Sequence, residues 1–208
     1  MKNEPITNWI SKIHINKIQD YRKEFITNRP FSHLEIPNFL REDKLKVLIK
    51  ALTKEKFYEK EADLFTFYQT RDLNASKDAF MKEAIAFLKS KKFITYVEAI
   101  TGLRLKHNKI DVAGTLYSDT CYLLCHDDDL EGRKIAFTLY LSNLTQPEGG
   151  SLCLFSSKNK FPERIIKKLE PKLNSLVIFE VSKTSFHEVE EVIAKKQRIA
   201  LGGWLHGH

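Results

Sequence analysis

Two residues near the middle of the chain, His126 and Asp128, have the types and the spacing of paired metal ligands. They follow the apolar stretch Leu123-Leu124-Cys125, which predicts the end of a β-strand. Alternate residues of a strand project from the same face, so the two side chains are expected to offer a nitrogen and a carboxylate oxygen to one ion. One further histidine would complete the two-histidine, one-carboxylate set that holds iron(II) and leaves positions open for reactants.

The spacing alone is weak support for a metal site, because His33 and Glu35 share it. With 7 histidines and 27 acidic residues in 208 positions, chance gives about one such pair. The alternative is an ordinary histidine satisfied at a strand end. Two later residues favour the metal site: His187 follows the apolar strand expected at 175–181, and Arg198 opens another apolar run.

An arginine at the start of an apolar strand has a chemical explanation. If a 2-oxo acid chelates the open face of the iron, its far carboxylate needs a partner inside the protein. Arginine provides a planar, permanently charged and bidentate match, and Arg198 is the candidate. The alternative is an ion pair at a sheet edge or on the surface.

Composition limits the class of protein. The 208 residues (24.2 kDa) are expected to form a single domain, 1–208, as a monomer. We find no apolar run of membrane-spanning length and no signal-peptide core, so no membrane partner is expected. Three cysteines, Cys121, Cys125 and Cys153, lack framework spacing, which predicts reduced thiols and an intracellular protein of the cytoplasm or nucleus. The net charge of +7 is spread along the chain, which favours a solvated surface over stable nucleic-acid binding.

Apolar periodicity predicts helices in the first half of the chain and strands in the second. Helical spacing occurs at 9–26, 41–52, 80–88 and 93–100. With a short strand at 31–36 and an aromatic hairpin at 57–69, these make 1–104 a mainly helical support region. Strands are expected at 110–117, 122–126, 135–141, 151–155, 175–181, 185–189 and 197–206, with a short helix at 162–169 after a proline.

This order of elements favours an α+β fold. Region 105–208 is expected to form a double-stranded β-helix (a jelly-roll, cupin-like core) with the N-terminal helices packed on the sheet. The hairpin at 57–69 has two interpretations: an ordinary edge hairpin, or a finger over the mouth of the site.

The sequence around these candidate residues resembles that of the ribosomal prolyl hydroxylases, which are iron(II)- and 2-oxoglutarate-dependent oxygenases. The likeness lies in 123–128, 130–137, 149–152, 177–182, 185–187 and 203–207, and extends upstream to 36–39 and 63–67. The resemblance implies hydroxylation of a proline in a small-subunit ribosomal protein near the decoding centre, with 3-hydroxylation favoured over 4-hydroxylation. Eukaryotic members of the family usually carry a second, silent β-helix domain, and none is expected within 1–208.

The resemblance also implies a role for each candidate residue. His126, Asp128 and His187 would bind iron(II), and Arg198 and Tyr117 would bind 2-oxoglutarate. Oxygen is the second co-substrate, with ascorbate as an accessory reductant. The substrate is expected to contact Asp63, Phe65, Phe67, Gln69, Asp127 and Asp129.

Two other functions stay open at this point. One is a 2-oxoglutarate oxygenase that acts on another protein residue or on nucleic acid. The other is a β-helix scaffold that binds partners without catalysis. A silent scaffold is expected to have lost a ligand or the arginine, and this sequence retains all four residues.

Overall fold

All α-helices of the described chain precede residue 105 in the computed structural model, which describes residues 5–208. They are α1 (Lys12–Asn16), α2 (Ile18–Thr27), α3 (Glu42–Leu52), α4 (Ala79–Leu88) and α5 (Lys91–Thr101). Short 3₁₀ helices lie at Ile6–Asn8 and Leu73–Ala75. None of these helices combines the length and the apolar character that a membrane crossing requires.

Within the described residues, eleven strands form one curled sheet in which every named pair is antiparallel. The strands are β1 (His33–Ile36), β2 (Phe57–Ala62), β3 (Phe65–Thr70), β4 (Leu105–Tyr117), β5 (Tyr122–His126), β6 (Arg133–Tyr140), β7 (Leu152–Lys158), β8 (Phe161–Leu169), β9 (Leu176–Glu180), β10 (His187–Val189) and β11 (Arg198–Gly207). Their order in the sheet is β1-β9-β6-β11-β4-β3-β5-β10-β7-β8, and β2 pairs with β3.

Strand β6 separates two apolar cores because its alternate side chains face opposite sides of the sheet. Ile135 and Phe137 belong to the core shared with the helices. Ala136 and Tyr140 belong to a second core that also contains Leu154 of β7. Since β7 is several strands away from β6 in the sheet order, this contact requires the sheet to fold over on itself. The double-stranded β-helix with helices packed on its outer face is thereby confirmed.

The ends of α4 and α5 lie at residues that satisfy free backbone groups. The Asp78 side chain accepts hydrogen bonds from two N–H groups at the start of α4, and Ser90 does the same for one at the start of α5. Gly102 ends α5 with a left-handed φ of 77°, which glycine adopts without a steric penalty. The helices expected at 80–88 and 93–100 are therefore confirmed.

The short helix expected over 162–169 is wrong, because this segment forms β8. Proline lacks a backbone N–H and is tolerated on an edge strand, where that position can face solvent. Strand β8 is such an edge, since it pairs with β7 alone, with Pro162 opposite Ser157.

The single helix expected over 9–26 is also wrong in part. Ile10 forms an isolated bridge with Leu40, and Lys17 separates α1 from α2. Trp9 stacks on Phe87 of α4, with ring centroids 4.7 Å apart. The apolar residues at the start of this segment therefore pack on elements distant in sequence instead of extending a helix.

Phe93 tests the packing of the core that contains the helices. It is 1% exposed and packs against Phe39 and Phe87. We expect Phe93→Ala to lower the free energy of unfolding by about 3–5 kcal/mol, because it leaves a cavity. Phe161→Ala is the matched control, since Phe161 is 71% exposed, and it should cost less than about 0.5 kcal/mol. Urea unfolding measures both, and equal costs would contradict this packing.

Candidate metal and co-substrate site

His126 and Asp128 lie where β5 leaves the sheet. His126 is the last residue of β5, whereas Asp128 follows it with a left-handed φ of 61°. Strand alternation is therefore not what brings the two side chains together, contrary to expectation. The turn directs the Asp128 carboxylate towards His126, whose Nε2 lies 3.6 Å from Oδ1. Aspartate is among the few non-glycine residues that adopt this backbone conformation readily.

His187 reaches the same point from a distant part of the chain. It begins β10 and lies directly opposite His126 in the antiparallel register with β5. The two rings have centroids 4.2 Å apart, and His187 Nε2 lies 3.3 Å from Asp128 Oδ2. One ligand atom from each of the three residues lies within 4.8 Å of the others. The arrangement can therefore hold one metal ion.

Backbone carbonyls orient both imidazole rings. His126 Nδ1 lies 2.8 Å from the Leu124 carbonyl oxygen, and His187 Nδ1 lies 2.8 Å from that of Ser185. A carbonyl can only accept, so each Nδ1 carries a hydrogen and each Nε2 is the nitrogen left to bind a metal. This is the form in which histidine binds metals, and it points towards Asp128.

The charge states of the cluster also fit a cation. Burial raises the pKa of Asp128, but the close contact with His187, the neighbouring His126 and the hydrogen bond from Trp204 outweigh it and lower the pKa to about 2. Burial, followed by the nearby His187, lowers the pKa of His126 below its ordinary value. An ionised carboxylate beside an unprotonated imidazole is the donor set that a divalent metal requires.

Two residues that sequence reasoning missed contact Asp128. Trp204 Nε1 donates a hydrogen bond of 3.0 Å to Oδ2, and Arg133 Nη1 lies 3.7 Å from Oδ1. The 203–207 segment belongs to the family likeness, but nothing in a tryptophan by itself indicates contact with a carboxylate. Only the pairing of β11 with its neighbours reveals this role.

Arg198 is buried without an acidic partner. It is 3% exposed, its Nε donates to the Gly150 carbonyl at 2.9 Å, and Nη2 donates to the Tyr140 hydroxyl at 3.4 Å. Among residues 5–208, no aspartate or glutamate pairs with it, so the alternative of an edge or surface ion pair is wrong. A buried cation of this kind is costly unless an anion joins it.

Aromatic rings surround the Arg198 guanidinium. Its Cζ lies 4.9 Å from the Tyr117 ring centroid and 5.0 Å from that of Tyr140. Phe67 of β3 stacks on the Tyr117 ring, with ring centroids 5.0 Å apart. Burial raises the pKa of Tyr117, so its hydroxyl keeps its proton and can donate to a carboxylate.

The candidate substrate residues fall into two groups. Phe65, Phe67 and Gln69 belong to β3, which pairs with β4 and β5 as well as β2, so the hairpin is part of the sheet. Asp63, Asp127 and Asp129 lie in the turns beside it. The Leu124 N–H donates to the Leu64 carbonyl at 2.8 Å, which places the hairpin tip next to the strand that carries His126.

Comparison with known proteins defines the class. Residues 112–206, which contain all three metal candidates and Arg198, match the family model of the 2OG-Fe(II) oxygenase superfamily. The chain thus contains a 2OG-Fe(II) oxygenase domain, with iron(II) and 2-oxoglutarate as the cofactor and co-substrate of that family.

Individual relatives narrow the comparison. The chain is similar to prolyl 3-hydroxylase OGFOD1 of Mus musculus, with 40% identity over 182 residues that cover 86% of this chain and 33% of the mouse protein. It is also similar to prolyl 3,4-dihydroxylase OGFOD1 of Ostreococcus tauri, with 36% identity over 185 residues, 81% of this chain and 35% of that protein. The chain therefore spans about a third of the length of these relatives.

A solved structure supports the fold. The prolyl-4-hydroxylase of Pseudomonas putida superposes with a TM-score of 0.72 and covers 92% of this chain and 99% of its own. The identity is 18%, so the likeness concerns the double-stranded β-helix fold alone.

Asp128 tests the metal site. We expect Asp128→Ala to weaken metal binding by more than about a hundredfold, because even residues behind the ligands contribute 10–100-fold. Succinate release should be lost while the circular dichroism spectrum stays unchanged. Asp119→Ala, at an exposed turn position, is the matched control. Undiminished turnover by the Asp128 variant would rule out the metal assignment.

Proposed function

We propose that this chain is the catalytic part of a prolyl 3-hydroxylase that modifies a small-subunit ribosomal protein near the decoding centre. The observation that carries the proposal is the convergence of His126, Asp128 and His187, together with the buried Arg198, which has no acidic partner within residues 5–208. The names of the curated relatives support proline as the target and its C3 as the position. The ribosomal target comes from the sequence resemblance.

In this proposal the three clustered side chains hold iron(II), and Arg198 and Tyr117 bind 2-oxoglutarate. When bound, the iron and 2-oxoglutarate activate oxygen, so that one oxygen atom enters a C–H bond and the other ends in succinate, with release of carbon dioxide. The protein contributes geometry: the ligand atoms of His126, Asp128 and His187 already face one point.

Arg198 and its surroundings select the co-substrate. Two of the five guanidinium N–H groups are used by Gly150 and Tyr140, which leaves donors for a bidentate carboxylate. The apolar surroundings strengthen this attraction, because water does not screen it. The Phe67–Tyr117 stack lies beside the Arg198 guanidinium and would help to exclude water from it.

The substrate in this proposal is a basic, extended segment. Although the chain is basic overall, strand β2 and the turns beside the site carry six acidic residues. Asp127 is half-buried, and the other five are exposed: Glu59, Glu61, Asp63, Asp129 and Glu131. Proline has no backbone N–H to donate, and it suits an extended peptide lying along the mouth. Local negative charge would favour a substrate loop rich in lysine and arginine.

The expected location and assembly state enter the proposal as well. We place the protein inside the cell, in the cytoplasm or nucleus, because its three cysteines are free thiols. We also expect it to be a monomer. Cell fractionation with light scattering of the purified chain tests both points. A membrane-enclosed, oxidising location or a stable oligomer would contradict them.

Arg198 provides a test of co-substrate binding. Loss of a charge-assisted bidentate pair should weaken 2-oxoglutarate binding in Arg198→Ala by about ten- to hundredfold, with a smaller effect on iron binding. Anaerobic titration with iron(II) and then 2-oxoglutarate measures both affinities. Arg164→Ala, on the exposed strand β8, is the matched control. An unchanged 2-oxoglutarate affinity would assign Arg198 a structural role.

The substrate is tested by mass spectrometry of peptides and of the intact small-subunit protein after incubation with iron(II), 2-oxoglutarate and oxygen. We expect one added oxygen atom on a proline within a basic loop. Succinate formed without an oxygenated proline would reject this substrate and favour an oxygenase of another protein residue or of nucleic acid. Absence of any turnover despite metal binding would favour the scaffold.

The acidic turns provide a separate test of substrate charge. Asp63→Asn with Asp129→Asn should raise KM for a basic peptide about three- to tenfold and reduce its salt dependence, with little effect on kcat. Glu163→Gln on β8, away from the site, is the control. An unchanged KM would mean that these acids are ordinary solvated loop residues.

A further inference from the structure

Three adjacent strands place a row of four contacting side chains next to Asp128: Trp204, Arg133, Asp111 and His206. Strand β11 lies between β4 and β6. In the register, Trp204 lies opposite Asp111 of β4, and His206 lies opposite Arg133 of β6. Residues from three separate segments thus come together beside the candidate metal ligand.

Trp204 and Arg133, the two residues of this row nearest to Asp128, contact its two carboxylate oxygens. Trp204 Nε1 donates to Oδ2 at 3.0 Å, while Arg133 Nη1 lies 3.7 Å from Oδ1. The two partners also hold each other, since the Arg133 guanidinium lies 3.4 Å from the centroid of the Trp204 ring system. The orientation of the carboxylate therefore depends on where Arg133 is held.

Asp111 and His206, the other two residues of the row, position Arg133. Its Nε lies 3.9 Å from Asp111 Oδ2, and the same oxygen accepts a 2.9 Å hydrogen bond from His206 Nε2. Asp111 is about half exposed, so its carboxylate would sample other orientations without a second partner. His206 provides that partner and confines the carboxylate on the side facing Arg133.

His206 itself is buried in a way that stability alone does not explain. It is 5% exposed, and its Nδ1 has no hydrogen-bond partner among the residues that the structure describes. That nitrogen lies against Gly132, where an added Cβ would approach it to 3.2 Å. A buried imidazole with one nitrogen unpaired opposes folding, and an apolar side chain would fill the same space without this cost. The contact with Asp111 is what the histidine uniquely supplies.

We propose that Asp111 and His206 form a positioning pair that holds Arg133 against Trp204 and thereby orients the Asp128 carboxylate for metal binding. The inference rests on the proposed function, because Asp128 is the proposed iron ligand. Neither Asp111 nor His206 touches the reacting atoms. They act through Arg133, which contacts the proposed ligand Asp128.

Metal binding without turnover tests this pair. The metal-free protein is titrated with Mn²⁺, free ion is followed by electron paramagnetic resonance, and the Co²⁺ form gives a ligand-field spectrum. Asp111→Asn and His206→Leu should each weaken Mn²⁺ affinity about three- to tenfold, at or below the lower end of the range for residues behind metal ligands. Both variants should also alter the Co²⁺ spectrum.

Two further variants separate positioning from a general loss of stability. His206→Gln keeps an N–H where His206 Nε2 donates, so it should restore most of the Mn²⁺ affinity. His14→Leu is the matched control. His14 is also buried, and its substitution removes hydrogen bonds to Tyr21 and Asn38, far from the site. It should lower the melting temperature and leave Mn²⁺ affinity unchanged.

The outcomes distinguish this inference from the proposed function. Wild-type Mn²⁺ affinity and an unchanged Co²⁺ spectrum in Asp111→Asn and His206→Leu would overturn the positioning pair alone. An equal loss of affinity in His14→Leu would also overturn it, because the effect would then follow stability. Failure of the unaltered protein to bind Mn²⁺ would overturn the proposed iron site as well.

Discussion

The antiparallel contact between β5 and β10 is the constraint on which the candidate site depends. It places His126 opposite His187, although the two residues are far apart in the chain. Strand β10 has only three residues and is held from its other side by β7, where Leu154 lies opposite His187. A shift of one residue would turn His187 to the other face of the sheet. The register of this short strand therefore decides whether three ligand atoms meet.

Strand β11 links the two ends of the site. Arg198, at its start, lies opposite Tyr117 of β4, and Trp204, in its second half, reaches Asp128. The strand is paired on both sides, with β4 and β6, and helices pack on the outer face of this part of the sheet. Arg198, the candidate for co-substrate binding, and Trp204, which contacts the candidate metal ligand Asp128, are thus held on one rigid strand, as preorganised binding requires.

The site contains two charges of opposite sign in different environments, the half-buried Asp128 and the buried Arg198. Asp128 has Trp204, two histidines and Arg133 around it. Arg198 has only a carbonyl and a phenol as polar partners among the described residues. The two imidazoles and the carboxylate together form a donor set for a cation, so the first environment favours a cation. The second favours an anion, because a buried guanidinium without an opposite charge is unfavourable. A metal ion chelated by a dicarboxylic 2-oxo acid satisfies both.

The sequence by itself determined the features that arise from local chemistry. The helix end at Gly102 and the apolar strand 122–126 follow from neighbouring residues, and the types of His126, Asp128, His187 and Arg198 indicate metal and carboxylate binding before any contact is known. Only the tertiary structure decided the rest. Edge pairing made 161–169 a strand despite Pro162, a left-handed turn brought Asp128 to His126 in place of strand alternation, and the β4–β11–β6 register joined Trp204, Arg133, Asp111 and His206. These contacts join residues distant in sequence, and no periodicity within one segment encodes them, because their energies exist only once the strands are paired.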